Sequence, residues 1–198
     1  MTDIAIPSNF KFCPQCGTGL SWISADEDGG AKSRWRCTAT REGTPCGYVH
    51  WNNPTPVLAA VVEIKETGQI LLARNAAWSG KFFALITGFM EANESPQEGI
   101  SREVKEETNL DVSELNLIGA YDFKRMNQVI IAYHVVASGE VILSPELVEY
   151  RLFAPEDLKC WRAGTGYALA DWLTSKGINP QFVELPPRPD ATYTKDSE

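Results

Sequence analysis

Positive charge is scarce in this chain. Eighteen Lys and Arg face 26 Asp and Glu, leaving a formal net charge of -8. Such a field repels polyanions, so a general nucleic-acid binder is disfavoured, and a nucleotide must be met by locally concentrated positive charge. Also missing is an apolar run near the roughly 18 residues that a membrane-crossing helix needs. No secretory leader and no internal repeat is visible, so the expected location is cytoplasmic, where thiols stay reduced. After residue 46 cysteine occurs only once, at Cys160, with no His near it in sequence; a buried small hydrophobe is the expected role. Against these absences stands a hydrophobic content of 43% over 198 residues, enough for one core plus a small module.

The densest chemistry lies between Gly88 and Leu110. Ser95-Pro96-Gln97-Glu98 has the form of a capping box with Pro at the first helical position. Ile100 and Val104 make a short apolar seam, and Asn109 stands where a left-handed residue ends a helix. The spacing therefore predicts a helix over residues 96–108. On it Glu103, Glu106 and Glu107 fall at i, i+3 and i+4 and share one face. They sit in the C-terminal half, where the helix dipole disfavours negative charge. Arg102 is four residues from both Glu98 and Glu106 and offsets part of the repulsion. A hard divalent cation with oxygen ligands would remove the rest. A solvated charged face is the plainer alternative.

The longer pattern resembles the Nudix box: Gly88, five residues, Glu94, seven residues, then Arg102-Glu103-Val104-x-Glu106-Glu107-x-Asn109-Leu110. One position departs, Asn109 standing where that family has Gly, and Asn tolerates the same left-handed backbone. The resemblance implies an α/β fold, an α/β/α sandwich around a mixed sheet, binding Mg2+ or Mn2+ and hydrolysing a nucleoside diphosphate linked to another group. It makes Glu103, Glu106 and Glu107 the metal ligands, with Arg102 orienting a box carboxylate. Glu94 then supports the loop or the outer metal shell, and Glu98 is the helix cap.

Four cysteines crowd the first quarter. Cys13-Pro-Gln-Cys16-Gly17 is a turn that aims two thiolates at one ion. Cys37 and Cys46 complete a tetrahedral four-thiolate set suited to structural Zn2+. Eight residues separate the second pair, against two to four in a usual ribbon, so residues 38–45 are expected to loop out as an enlarged knuckle. His50, four residues after Cys46, is the alternative fourth ligand. Disulfides are disfavoured, because Cys-x2-Cys is poor disulfide geometry.

A zinc ribbon before a Nudix domain narrows the resemblance to two groups. NADH pyrophosphatases carry Ser-Gln-Pro-Trp-Pro-Phe-Pro after the box, which is absent here; the stretch reads Tyr121-Asp-Phe-Lys-Arg-Met-Asn-Gln128. The group that includes plastid FAD pyrophosphatases has a Gln opening a strand and a later Glu-x-x-Glu-x-Arg-Leu-Phe, matched by Gln128 and by Glu146 to Phe153. That resemblance makes Gln128 a candidate substrate contact, and Arg74 and Phe83 are candidates beside it. It makes Glu149, or Glu146, a candidate general base; a charged surface turn is the alternative. Trp78, Phe82, Phe83, Tyr121 and Phe123 are candidates to stack on a base or a flavin ring, with core packing the commoner fate.

The expected organisation is a zinc ribbon and connector at 1–53, a hydrolase domain at 54–185 and a disordered tail at 186–198. Strands are expected at 57–65 and 69–74, joined through Gly68, then at 115–121 and 129–137, with a short one at 151–153. A closing helix covers 165–176 and stops at Gly177. Ile86 stands where many Nudix proteins have Pro and is read as strand packing. The implied activity is cleavage of a dinucleotide such as FAD, NADH or ADP-ribose into two monophosphates. The competing reading is a catalytically idle module that senses a nucleotide or docks a partner. The expected partner is a small nucleotide, with no membrane and no nucleic acid, and the ribbon is a possible homodimer surface.

Overall fold

The computed structural model describes residues 10–77 and 80–184. Trp78 and the tail expected at 186–198 lie outside the described residues. The chain divides into two compact units, Met1–Asn53 and Pro54–Glu198.

In the first unit, β1 (Leu20–Glu27) and β2 (Gly30–Cys37) pair as an antiparallel hairpin, and β5 (Val49–His50) joins the far edge of β2. Between them β3 (Thr40–Arg41) and β4 (Thr44–Pro45) form a second, smaller hairpin. Its two turn residues, Glu42 and Gly43, have φ of 49° and 78°, the positive pair that a two-residue turn matched to strand twist demands. Residues 38–45 therefore do loop out. The β1–β2 hairpin is not among the expected strands. Its sequence is largely polar without strict alternation, and Trp22 and Trp35 pair across the strands, packed edge-on at 5.5 Å.

The second unit is built around β6 (Thr55–Ile64). Together with β7 (Ile70–Asn75), β8 (Ile86–Phe89), β9 (Asp111–Phe123), β10 (Gln128–Ser138) and β11 (Leu147–Phe153) it makes a six-stranded sheet. The order is β11-β7-β6-β10-β9, with β8 also paired to β6. The sheet is mixed, β10 running parallel to β6 and the other pairings antiparallel. Two short parallel strands, β12 (Lys159–Trp161) and β13 (Gln181–Val183), stand apart. β11 starts at Leu147, four residues earlier than expected, because Val148 and Tyr150 are apolar yet exposed while Glu149 and Arg151 occupy the positions between, so no apolar face marks the strand.

The period-two alternation of β6 separates two cores. Leu58, Ala60, Val62 and Ile64 pack with Ile100 and Val104 of α1 (Pro96–Thr108). On the other face Val61 packs with Leu169 and Trp172 of α2 (Thr165–Ser175), and Ala59 with Ala168. One helix on each face of a mixed sheet is the α/β/α sandwich. Helix α1 begins with a complete capping box: the Ser95 hydroxyl accepts from the Glu98 N–H, and the Ser95 N–H donates 2.8 Å to the Glu98 carboxylate. It ends at Asn109, left-handed with φ 64°. Ile86 is buried in the α1-side core, as strand packing requires. No helix among the described residues is long and apolar enough to cross a membrane.

Candidate active site and thiol cluster

Arg102 organises the carboxylates of α1. Its guanidinium donates to both oxygens of Glu94 at 3.1 and 3.0 Å, to Glu103 at 2.8 Å, to Glu106 at 3.0 Å and to the Phe89 carbonyl at 3.3 Å. Four such bonds to ionised acceptors hold Arg102 well above the ordinary range of a guanidinium, with Glu94 the largest cause. Glu94 is held low in turn, by Arg102 and by the Glu91 N–H. Sequence spacing pairs Arg102 with Glu98 and Glu106; Glu98 is instead committed to the cap, and Glu94 takes its place.

Gly88 exists for Glu103. A Cβ on Gly88 would fall 1.9 Å from Cδ of Glu103 and 2.1 and 2.2 Å from its oxygens. The carboxylate thus lies directly over the β8 backbone. Gly99 makes room likewise: a Cβ there would meet Glu94 and Leu58, each at 2.5 Å. That role of Gly99 is not readable from helix propensity, which treats a mid-helix glycine only as a cost.

Glu107 is 7% exposed, and its carboxylate has no hydrogen-bond donor among the described residues. Burial, then the charges of Glu103, Glu146 and Glu106, push its carboxyl up to about 8. Glu103 is raised as well, burial outweighing its bond to Arg102. The donor set is all oxygen, and its buried member lacks a counter-charge, so a hard divalent cation fits it. The three carboxylates share one margin of α1 without closing into a tight cage; Glu106 projects outward, its side chain 60% exposed.

The two downstream candidates separate. Glu146 lies in the field of Glu103 and Glu107, brought there because the preceding loop bonds to the end of α1, Ser144 N–H to the Glu107 carbonyl at 3.0 Å. Glu149 sits instead between two arginines. It accepts from Arg151 at 3.1 and 2.9 Å and faces Arg74 at 3.5 Å, and Arg151 first and Arg74 second hold it low. Phe83 lies under Arg151, whose Cζ is 4.5 Å from the ring centroid.

Gln128 opens β10 and lines a cavity of about 340 Å3 with Pro54, Tyr121, Asp122, Lys124 and Asn127. The Tyr121 hydroxyl donates to Asp171 at 2.7 Å. Phe82 and Phe83 pack against the α2-side core, and Phe123 against the smaller cluster around Ala59. Asp171 is absent from the residues singled out by sequence; a lone acid on the otherwise apolar α2 is the signal that marks it. Cys160 is fully buried, and burial pushes its thiol up to about 11, as befits an inert packing residue.

In the first unit the ligand atoms of Cys13, Cys16, Cys37 and Cys46 all lie within 4.8 Å of one another. Cys13 and Cys46 are 3.7 Å apart, Cys16 and Cys37 3.4 Å. The first knuckle closes through Cys13 N–H to the Thr18 carbonyl and Gly17 N–H to the Cys13 carbonyl. The second closes through Cys46 N–H to the Ala39 carbonyl, which the β3–β4 hairpin makes possible. His50 pairs opposite Trp35 and packs on Phe10 at 4.8 Å, so Cys46 is the fourth group of the cluster. Thr18 first, through hydrogen bonds, and then Cys37 hold Cys16 down to about 6. The Ala39 N–H favours the Cys37 thiolate, but burial and the neighbouring thiols push it up to about 12. Four crowded thiols that cannot all ionise together suit a metal cation.

The NUDIX domain model matches residues 54–172. The NAD-capped RNA hydrolase NudC of Pseudomonas putida strain F1 is 25% identical over 180 residues, 89% of this chain and 60% of its own. NudC of Vibrio atlanticus strain LGP32 is 26% identical over 125 residues, 63% of this chain and 41% of its own. The chain spans about half the length of the curated relatives it matches. The crystal structure of a NUDIX hydrolase from Nitrosomonas europaea, 25% identical, superposes with a TM-score of 0.65 over 89% of this chain and all of that one.

Proposed function

This chain belongs to the NUDIX domain family, and on that premise we propose that it is a Mg2+- or Mn2+-dependent hydrolase of the pyrophosphate bond in nucleoside-diphosphate-linked compounds. Water attacks one phosphorus, the bridging P–O bond breaks, and two monophosphates leave. One observation carries the reading: Glu103, Glu106 and Glu107 line one margin of α1, with Glu146 in their field and no donor compensating buried Glu107 among the described residues.

Glu103, Glu106 and Glu107 would hold the cation. When bound, it supplies charge neutralisation of the phosphoryl oxygens and a lowered pKa for an attacking water. Arg102 keeps Glu103 and Glu106 in place and ties them to Glu94, so the carboxylates arrive oriented. Glu146 is the residue we assign to accept the proton of the attacking water, in preference to Glu149, which two arginines occupy. Gln128 and Tyr121 offer a hydrogen-bonding amide and a ring at one cavity, suited to a planar base. Arg74 and Phe83 we assign to the substrate's second arm.

The leading substrates are FAD, NADH and ADP-ribose. The NudC relatives add NAD-capped RNA to the set worth testing, although a net charge of -8 works against a long polyanion. In the first unit we assign Zn2+ to the four thiols: tetrahedral Zn–S bonds of about 2.3 Å put sulfurs about 3.8 Å apart, close to the 3.7 and 3.4 Å found. The test is a substrate panel with the purified full chain under Mg2+ or Mn2+. AMP release is expected, and Glu106→Gln and Glu107→Gln should each lower turnover at least about a hundredfold. No turnover of any member under either metal refutes the proposal.

A further inference from the structure

The Arg74–Glu149–Arg151 group has more positive charge than a structural ion pair requires. Two guanidiniums share one carboxylate, a local excess of one positive charge on a chain whose net charge is -8. The two arginines are not equally satisfied. Arg151 donates twice to a single Glu149 oxygen and is braced from below by the Phe83 ring. Arg74 faces the other oxygen through its Nε, at 3.5 Å, too long for a full hydrogen bond, and that nitrogen is shielded from solvent. Glu149 is therefore a loosely held partner of Arg74, and the charge of that guanidinium is only partly offset. Arg151 remains accessible, its side chain 55% exposed, so such an anion can arrive from solvent.

Position narrows the ligand. Arg74 and Asn75 end β7 beside the start of β11, and Glu146 directly precedes that start. At about 3.3 Å per residue, Glu149 lies on the order of 10 Å along the chain from Glu146. An anion at the arginines is therefore separate from a diphosphate lying against Glu146 and the α1 carboxylates. Resting on the hydrolase reading above, we propose that Arg74 and Arg151, bridged by Glu149, form a second anion subsite for a phosphomonoester on the ribose of the substrate. The favoured substrates are then dinucleotides that carry a 2′- or 3′-phosphate in addition to the pyrophosphate. Arg151 and Arg74 supply forked N–H donors to the phosphate, and Phe83 fixes the plane of the Arg151 fork.

Isothermal titration of the full chain, without added Mg2+, tests this with AMP, adenosine 2′,5′-bisphosphate, adenosine 3′,5′-bisphosphate and inorganic phosphate. One bisphosphate should bind roughly tenfold more tightly than AMP, and which one does so identifies the ribose position. Arg151→Ala should erase that increment while leaving AMP binding within about twofold, Arg151→Lys should recover part of it, and Arg74→Ala should erase it as well. Glu149→Gln should widen the increment, because it frees both guanidiniums; a merely structural triad predicts loss instead. Equal binding of AMP and both bisphosphates, no binding of any probe, or an increment that survives Arg151→Ala overturns the subsite. Inorganic phosphate binding as tightly as a bisphosphate identifies a free anion as the occupant and overturns the substrate-arm assignment. Turnover of NADH in the panel assay with no increment here sinks the subsite and leaves the hydrolase reading standing; an increment without turnover does the reverse.

Discussion

Gly88→Ala is the sharpest perturbation available to this fold. The Gly88 backbone needs no left-handed φ, so the substitution acts by contact and not by strain. The new methyl would sit 1.9 Å from the Glu103 carboxyl carbon, against about 3.5–4.0 Å for a comfortable contact. The carboxylate must therefore move by about 1.6 Å or more, and its 2.8 Å bond to Arg102 breaks. Overpacking of this kind costs about 1–3 kcal/mol, and the lost charge-assisted bond lies within the same range. A small offset comes from the stiffer unfolded chain, about 0.4–1 kcal/mol. The net expectation is about 2 kcal/mol, or a melting temperature lower by roughly 4–8 °C for a domain of this size. On the proposed metal-dependent mechanism, displacement of Glu103 by more than an ångström should lower turnover by about a hundredfold or more. Thermal melts and turnover on the proposed panel give both numbers. In a Glu103→Ala background the same methyl meets no carboxylate, so the stability cost of Gly88→Ala should shrink by about 1 kcal/mol or more. Additive costs, or a Gly88→Ala protein with unchanged melting and turnover, would refute the contact.

Three further outcomes follow from other parts of the structure. Glu107→Gln should raise the melting temperature of Mg2+-free protein. The native Glu107 carboxyl titrates near 8, above its ordinary 4.5, so native stability falls as pH rises through that interval; the mutant's advantage should be largest above pH 8 and vanish toward pH 5. Melts across pH in a buffer free of divalent cations check this, and a pH-independent difference contradicts it. On the proposed zinc assignment, Cys37→Ser or Cys46→Ser should abolish stoichiometric zinc and strip amide-exchange protection from residues 20–50 while leaving α1 protected, since a bound metal would supply what a unit this small lacks in core. Asn109→Gly should be neutral or slightly stabilising and Asn109→Val destabilising by about 1 kcal/mol, because φ at this position is 64°; denaturant midpoints decide it.

The parts legible in the sequence are those set by local chemistry. Ser95, Pro96, Glu98 and Asn109 mark both ends of α1 because caps depend on neighbours a few residues away. The β6–β7 hairpin shows as two apolar runs around Gly68, and α2 as an apolar stretch closed by Gly177, whose φ is 77°. What the sequence hides depends on distant partners. Glu146 reaches the α1 carboxylates only because Ser144 bonds to the end of α1. Tyr121 finds Asp171 fifty residues away. The grip of Arg102 on Glu94 crosses the whole turn before the helix, so i, i+4 spacing points to Glu98, a residue already engaged at the cap. The β1–β2 hairpin breaks strict alternation at Trp22–Ile23 and at Lys32–Ser33–Arg34, so it lacks the period-two contrast that marks a strand.

The central strand also acts as a gauge of length. Leu58 of β6 faces Gly88 on one side, and Thr55 faces Gln128 on the other. Two strand spacings across and three residues along place Gly88 and Gln128 on the order of 14 Å apart. Neither end of that span can drift, because both are hydrogen-bonded to one rigid strand. A change of register would also turn every side chain of the slipped strand to the opposite face. The molecule therefore tolerates variation in what fills each end but not in the distance between them. On the proposed hydrolase reading, new substrate preferences should arise from residues 121–128 and from β11, while the sheet keeps the measure constant.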